Sequence, residues 1–198
     1  MHCRLIEVSA SADGIESAFE SVRANVLPRV KELPGFRGAY WLADRESGKF
    51  YAATFFDSQD SLDASRDRAQ QIRNEGMEAG GVTFDAVKEF EVIATTGEKV
   101  STTATHARVT RTQNDPNRFD EAVAAIGRTL IPEAQVMRGF AGGFWLADRR
   151  SGEGFGATLW DSAEALHATS APAADLRQRV TEDIGSQVTN VHDLEVVV

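Results

Sequence analysis

The sequence predicts an α+β protein: two ferredoxin-like βαββαβ repeats whose antiparallel sheets join in one intramolecular barrel. Three observations lead there. The segment WLADRESG, Trp41 to Gly48, returns as WLADRRSG, Trp145 to Gly152. An offset of 104 residues aligns the halves without a gap, from His2 on His106 to Ala94 on Val198, with 27 of 93 positions identical. Each half also alternates apolar runs of strand length with segments whose apolar residues fall three and four apart. So long a period exceeds any solenoid unit and marks a duplicated domain. Repeat 1 is assigned to residues 1–94 and repeat 2 to 106–198, with the polar TTGEKVSTTAT, 95–105, as linker.

The elements follow in order. RLIEVSA opens the first strand. Asp13 is placed to cap a helix whose apolar stripe is Ile15, Phe19, Val22, Val26, Val30 and Leu33. Pro28 removes a backbone donor inside that helix and should kink it; Pro132 repeats the feature. PGF ends the helix. Strand two, Phe36 to Asp44, turns through RESG into strand three, Phe50 to Phe56. Asp57-Ser58 caps a second helix with its stripe at Leu62, Ala69, Ile72 and Met77, matched by Leu166, Ala173, Leu176, Val180 and Ile184. The last strand is expected over Thr83 to Ile93. That order is the ferredoxin-like plan.

A lone sheet of this kind carries helices on one face and exposes the other. Here both faces of strand two are apolar. Phe36, Tyr40 and Leu42 share one parity; Ala39, Trp41 and Ala43 share the other. The expectation is that the two sheets cover each other about a pseudo-twofold axis, with Trp41 and Trp145 in the interface.

Composition excludes several classes. A net charge of -9 is unsuited to nucleic acid, whose phosphates need a basic footprint, and to anionic membranes. No apolar run approaches the ~20 residues that span a bilayer, and the first residues lack a secretory layout. One cysteine, Cys3, forms no internal disulfide, which suits a cytoplasmic protein. Four scattered histidines make no metal-ligand cluster.

Two longer segments carry a resemblance. LPRVKELPGFRGAYWLADRESGKFYAATFFDSQDSL, and again IPEAQVMRGFAGGFWLADRRSGEGFGATLWDSAEAL, are similar to the antibiotic biosynthesis monooxygenase-like family of the dimeric α+β barrel superfamily. The resemblance covers both halves. It implies a barrel made of two βαββαβ units, here within one chain, with further homo-oligomerisation left open. It implies several possible jobs: oxygenation of a small aromatic or polyketide-like molecule without any cofactor, haem degradation, or a non-catalytic role in binding a small hydrophobic ligand or in stress. Haem degraders of the group carry an asparagine before the Arg-Leu pair, and a tryptophan and a histidine on the second helix. Here those positions hold Cys3 and Ala107, Ser65 and Thr169, and Glu75 and Arg179, so haem cleavage is set aside.

Candidate catalytic residues are Arg4, His106 and Arg108. His2 and His106 align, as do Arg4 and Arg108, on alternate positions of the first strand of each repeat. An arginine there would stabilise a developing enolate or peroxide anion, and a histidine would take a proton. The competing reading pairs the arginines with strand carboxylates such as Glu91 and Glu195. Candidate ligand-binding residues are Trp41 and Trp145, which would stack on a flat molecule or serve as core. With them stand Gly156, Thr158 and Trp160, on a strand face where small residues open space that Phe50, Ala52 and Phe56 fill in repeat 1. The competing reading of these glycines is relief of crowding. Asp44-Arg45 and Asp148-Arg149 read as turn residues. On this view repeat 1 is scaffold and repeat 2 keeps the site.

Overall fold

The computed structural model describes residues 1–11, 14–97 and 103–197. The proposed cap Asp13 and the middle of the linker, 98–102, lie outside the described residues. Contacts divide the chain into two compact units, Met1–Phe90 with Glu195–Val198, and Glu91–Leu194.

In unit 1, β1 (His2–Ala10), β2 (Phe36–Asp44) and β3 (Lys49–Phe56) are antiparallel with β3 central. Val8 lies opposite Phe50 on one side of β3, and Trp41 lies opposite Ala52 on the other. The free edge of β2 is extended by the end of the last strand of the chain, β8 (Gln187–Val196), with Leu42 opposite Val196 and Ala43 opposite Glu195. Unit 2 repeats the plan with β5 (His106–Gln113), β6 (Phe140–Ala147) and β7 (Glu153–Trp160). Its extension is the end of β4 (Val82–Thr95), with Glu91 opposite Ala147 and Thr95 opposite Phe144. Each sheet therefore borrows the last residues of the other repeat's final strand.

Hydrogen-bonded neighbours run in the order β1-β3-β2-β8-β5-β7-β6-β4. Each unit has its own helices and core. The structure departs from the sequence reading in where it puts the tryptophans. Trp41 packs with Ala39, Ala43, Phe50 and Phe56 against Ile15, Phe19, Leu62 and Ile72 of its own helices. It lies inside a unit, so it cannot cement two sheets as the repeated segment suggested. The opposite parity, including Cys3, Leu5, Tyr40, Leu42 and Phe55, is buried as well, as the two-sided apolar pattern required.

The first helix of each unit takes an unexpected form. α1 (Ile15–Ser21) passes through a π-helical turn, Val22–Val26, into α2 (Leu27–Val30), where Pro28 sits in the first turn. The Leu27 N–H donates to the Val22 carbonyl, five residues back. In unit 2, α5 (Phe119–Ala125), a π turn Ile126–Leu130 and α6 (Ile131–Gln135) repeat this, with the Ile131 N–H donating to Ile126. A proline ring crowds the carbonyl four residues before it; the wider turn relieves that clash, so the anticipated kink becomes a π-bulge.

The second helix begins as expected. Ser58 Oγ accepts from the Ser61 N–H at 3.1 Å to start α3 (Gln59–Ala64), and Ser162 Oγ accepts from the Ala165 N–H at 3.2 Å to start α7 (Ala163–Ala168). Each helix then breaks once, before α4 (Arg66–Gly80) and α8 (Ser170–Ile184). The repeated PGF and RGF turns are tied to these caps. The Asp161 N–H donates to the Gly139 carbonyl at 2.9 Å, and Gly139 has φ +80° with room for a β-carbon only 2.3 Å from that of Ala165.

Candidate functional site

Each unit holds an apolar pocket between its sheet and its own helices. In unit 2 the centre of a water molecule can reach about 110 Å³ of it, and in unit 1 about 90 Å³. These are on the scale of the dry cavity that accepts benzene in an engineered core, about 150 Å³.

Side-chain alternation builds the unit 2 pocket. Arg108, Thr110 and Thr112 of β5 line one wall, and Gly154, Gly156, Thr158 and Trp160 of β7 the next. The helices supply the apolar roof, including Leu130 beside the π turn. The charged residues among its lining are two arginines, Arg108 and Arg177.

Arg108 is 6% exposed and held by a forked pair of bonds: its Nε donates to Asp193 Oδ1 and its Nη2 to Asp193 Oδ2, each at 2.7 Å. Nη2 also reaches Ser170 Oγ at 2.9 Å and the Leu166 carbonyl at 3.2 Å. Its Nη1 is buried with no hydrogen-bond partner among the described residues. Trp160, 1% exposed, leaves its Nε1 in the same state while its rings stand edge-to-face with Phe140 at 5.8 Å. Two orphaned donors thus line one apolar pocket.

Unit 1 differs at both points. Arg4 Nε and Nη2 reach Glu89 Oε1 at 3.2 and 2.9 Å, and Nη1 donates to Ser65 Oγ at 2.9 Å. Repeat 2 has Thr169 where Ser65 stands, and the Thr169 hydroxyl donates to the Ala165 and Leu166 carbonyls instead. Phe56 replaces Trp160 and lies 5.6 Å from the Arg4 guanidinium. The carboxylates that hold the strand arginines are therefore Glu89 and Asp193, not Glu91 and Glu195. The latter pair bind the hairpin arginines: Arg149 Nε reaches Glu91 at 2.7 Å and Arg45 Nε reaches Glu195 at 2.7 Å. Asp44 and Asp148 accept backbone N–H groups across their turns, at 2.9 Å from Glu46 and Arg150 respectively.

The remaining candidates are placed as follows. His106 is at the end of β5, with Nδ1 2.9 Å from Thr105 Oγ1, and does not line the pocket. His2 Nδ1 is buried without a hydrogen-bond partner among the described residues. Thr158 lines the pocket and its hydroxyl donates weakly, at 3.4 Å, to the Arg108 carbonyl. Trp145 lies across Gly156 and Gly143, where an added β-carbon would fall 2.7 Å from its ring. The space opened by Gly156 is thus occupied by an indole that itself walls the pocket, and Trp41 walls the pocket of unit 1. Burial pushes the Cys3 thiol far up, leaving it unreactive.

Arg73 and Arg177 were not singled out by sequence reasoning as site residues. Their signal was an arginine conserved between the repeats directly after the core positions Ile72 and Leu176. Arg73 Nε is buried without a hydrogen-bond partner among the described residues, while its guanidinium lies 4.6 Å over the Phe84 ring. Burial, then the charge of Arg108, weakens the hold of Arg177 on its proton, with Asp193 acting the other way.

Among the described residues no cluster of three or more histidine, cysteine or acidic side chains suits a metal ion, and no helix is long and apolar enough to cross a membrane.

No protein-family model matches the chain. An uncharacterized protein of Mycobacterium tuberculosis (strain ATCC 25618 / H37Rv) is 24% identical over 196 residues, covering 99% of this chain and 87% of that protein. Among solved structures, an anthrone oxidase-like protein superposes with a TM-score of 0.65 at 14% identity, covering 100% of this chain and 92% of the other. A ferredoxin-fold protein related to antibiotic biosynthesis monooxygenases, from Listeria monocytogenes 4b F2365, gives 0.55 at 10% identity, with 98% and 93% covered. The chain thus shares the fold of these solved structures. The same fold is shared by a heme-degrading enzyme from Listeria monocytogenes, with a TM-score of 0.52 at 7% identity and 98% and 97% covered. That corrects the sequence reading that set haem degradation aside. At such identity, three motif positions do not define what the fold accommodates. The two pocket linings offer one methionine each, Met77 and Met137, and no histidine or cysteine.

Proposed function

We propose that the unit 2 pocket binds a small, flat, mostly apolar molecule bearing a hydrogen-bond acceptor. One observation carries this reading: Arg108 Nη1 and Trp160 Nε1 are both buried, both unpartnered, and both in the lining of one apolar pocket. A buried donor left unmade costs about 1–3 kcal/mol, which a ligand carbonyl would recover. The two repeats are a tandem duplication in which repeat 2 keeps the site, because in repeat 1 Ser65 satisfies Arg4, Phe56 removes the indole donor, and the remaining orphan, Arg73 Nε, belongs to a guanidinium stacked over Phe84.

The test is a titration of nitrogen-15-labelled protein with acetophenone and with ethylbenzene, following the three tryptophan indole N–H resonances. The Trp160 resonance, identified by its loss in Trp160→Phe, should shift with acetophenone at concentrations about tenfold below those needed for ethylbenzene, an added bond of about 1.4 kcal/mol. An unmoved Trp160 resonance would rule the pocket out as a ligand site.

A second reading, oxygenation of the bound molecule, is favoured by the position of Arg108. Its buried, unpartnered Nη1 belongs to a residue that lines the pocket, and a donor held away from water there would stabilise the oxyanion of an ionised phenol. Oxidation of an anthrone takes up one O₂ per quinone formed and releases one water. Oxygen uptake with anthrone should exceed the protein-free rate and fall by about tenfold in Trp160→Phe, if one donor bond contributes about 1.4 kcal/mol to the transition state. Uptake equal to the protein-free control removes this reading and leaves binding intact.

A further inference from the structure

The ligand-binding reading leaves the charge of the ligand open, and the pocket's own charges address it. The charged residues among its lining are both cations, Arg108 and Arg177, in a surround that is otherwise uncharged and mostly apolar. One carboxylate, Asp193, faces them, and its two oxygens are both engaged by Arg108. Arg177 is partly buried on α8 and has no side-chain hydrogen bond or ion pair among the described residues. Arg108 and Arg177 against Asp193 leave one net positive charge in a place poorly hydrated. A buried charge of that kind is costly unless it is paired.

We infer that the ligand of the unit 2 pocket is a small aryl carboxylate, with one carboxylate oxygen on Arg108 Nη1, the other toward the Arg177 guanidinium, and the ring among the apolar helix residues. The inference rests on the ligand-binding reading above. Two separate nitrogen donors suit an anion with two oxygens. A cavity of about 110 Å³ suits a single ring. Burial, and after it the charge of Arg108, weakens the hold of Arg177 on its proton, and an anion between the two guanidiniums would counter both effects. Unit 1 has the matching pair, Arg4 and Arg73, in its pocket, but Arg4 Nη1 is already bound to Ser65. The anion is therefore assigned to unit 2.

The experiment compares benzoate with benzamide, which has nearly the same shape and no charge. Both are titrated against the intact labelled protein, with the Trp160 indole N–H as reporter. Benzoate should bind at least about tenfold more tightly than benzamide, with the advantage shrinking as salt is raised. In Arg177→Gln, and in Arg177→Met as a second variant, the ratio should fall to within about twofold, the effect of a lost charge–charge contact. Arg73→Gln should leave it unchanged. Equal binding of the two probes by the unaltered protein overturns the anion assignment while the binding site survives. No shift with either probe overturns both. A preference that is lost in Arg73→Gln and kept in both Arg177 variants overturns the placement in unit 2.

Discussion

Asp193→Ala is expected to destabilise the protein by about 2–4 kcal/mol, because it strands a buried guanidinium. Both oxygens of Asp193 are used by Arg108, and Arg108 keeps only the exposed Ser170 hydroxyl and the Leu166 carbonyl when they go. Asp193 is itself about a third exposed, at 34%, so solvent softens the loss below that of a fully buried pair. The partner substitution should reverse much of it. Arg108→Met with Asp193→Leu removes both charges, and is expected to be more stable than Asp193→Ala alone. Urea unfolding of Arg108→Met, Asp193→Leu and their double variant measures this as a coupling energy. If the effects of the two sites simply add, Arg108 is not held by this pair. The matching change in unit 1, Glu89→Ala, should cost less per arginine. Arg4 there keeps Ser65 and the Leu62 carbonyl, although Arg66 also loses a contact with Glu89.

Trp145→Ala is expected to cost about 3–5 kcal/mol, at the upper end of large-to-small core changes. The indole lies over Gly143 and Gly156, which have no side chains to fall into the void. Trp41→Ala in unit 1 should cost less, because the corresponding positions are Ala39 and Ala52, whose methyl groups already occupy part of that layer. The measurement is the difference in denaturation midpoint between the two variants. Equal losses would mean that the glycine floor does not control the cavity. The enlarged pocket of Trp145→Ala should also bind larger arenes than the unaltered protein does, since it joins the vacated space to the existing cavity.

The sequence alone determined the order of elements, the cap at Asp57-Ser58, and the two-sided burial of the strands. These are local facts: a serine that can accept from an amide three residues on, a stripe of period 3.6, an alternation of period two. It also brought Arg108, Trp160, Trp145, Gly156 and Thr158 into view, because strand alternation puts them on faces that can be counted. What it could not determine were the partners. Arg108 ends on Asp193 rather than Glu195 because strand offset between elements far apart in the chain sets which carboxylate faces it, and a shift of two residues leaves the face unchanged. Trp41 and Trp145 turned inward to their own helices because parity says that two faces exist, not which one the helices take. Arg177 entered the site only when α8 was laid across the sheet. The orphaned donors of Arg108 and Trp160 are likewise a tertiary fact, since a missing hydrogen bond becomes visible only when every neighbouring group has been placed.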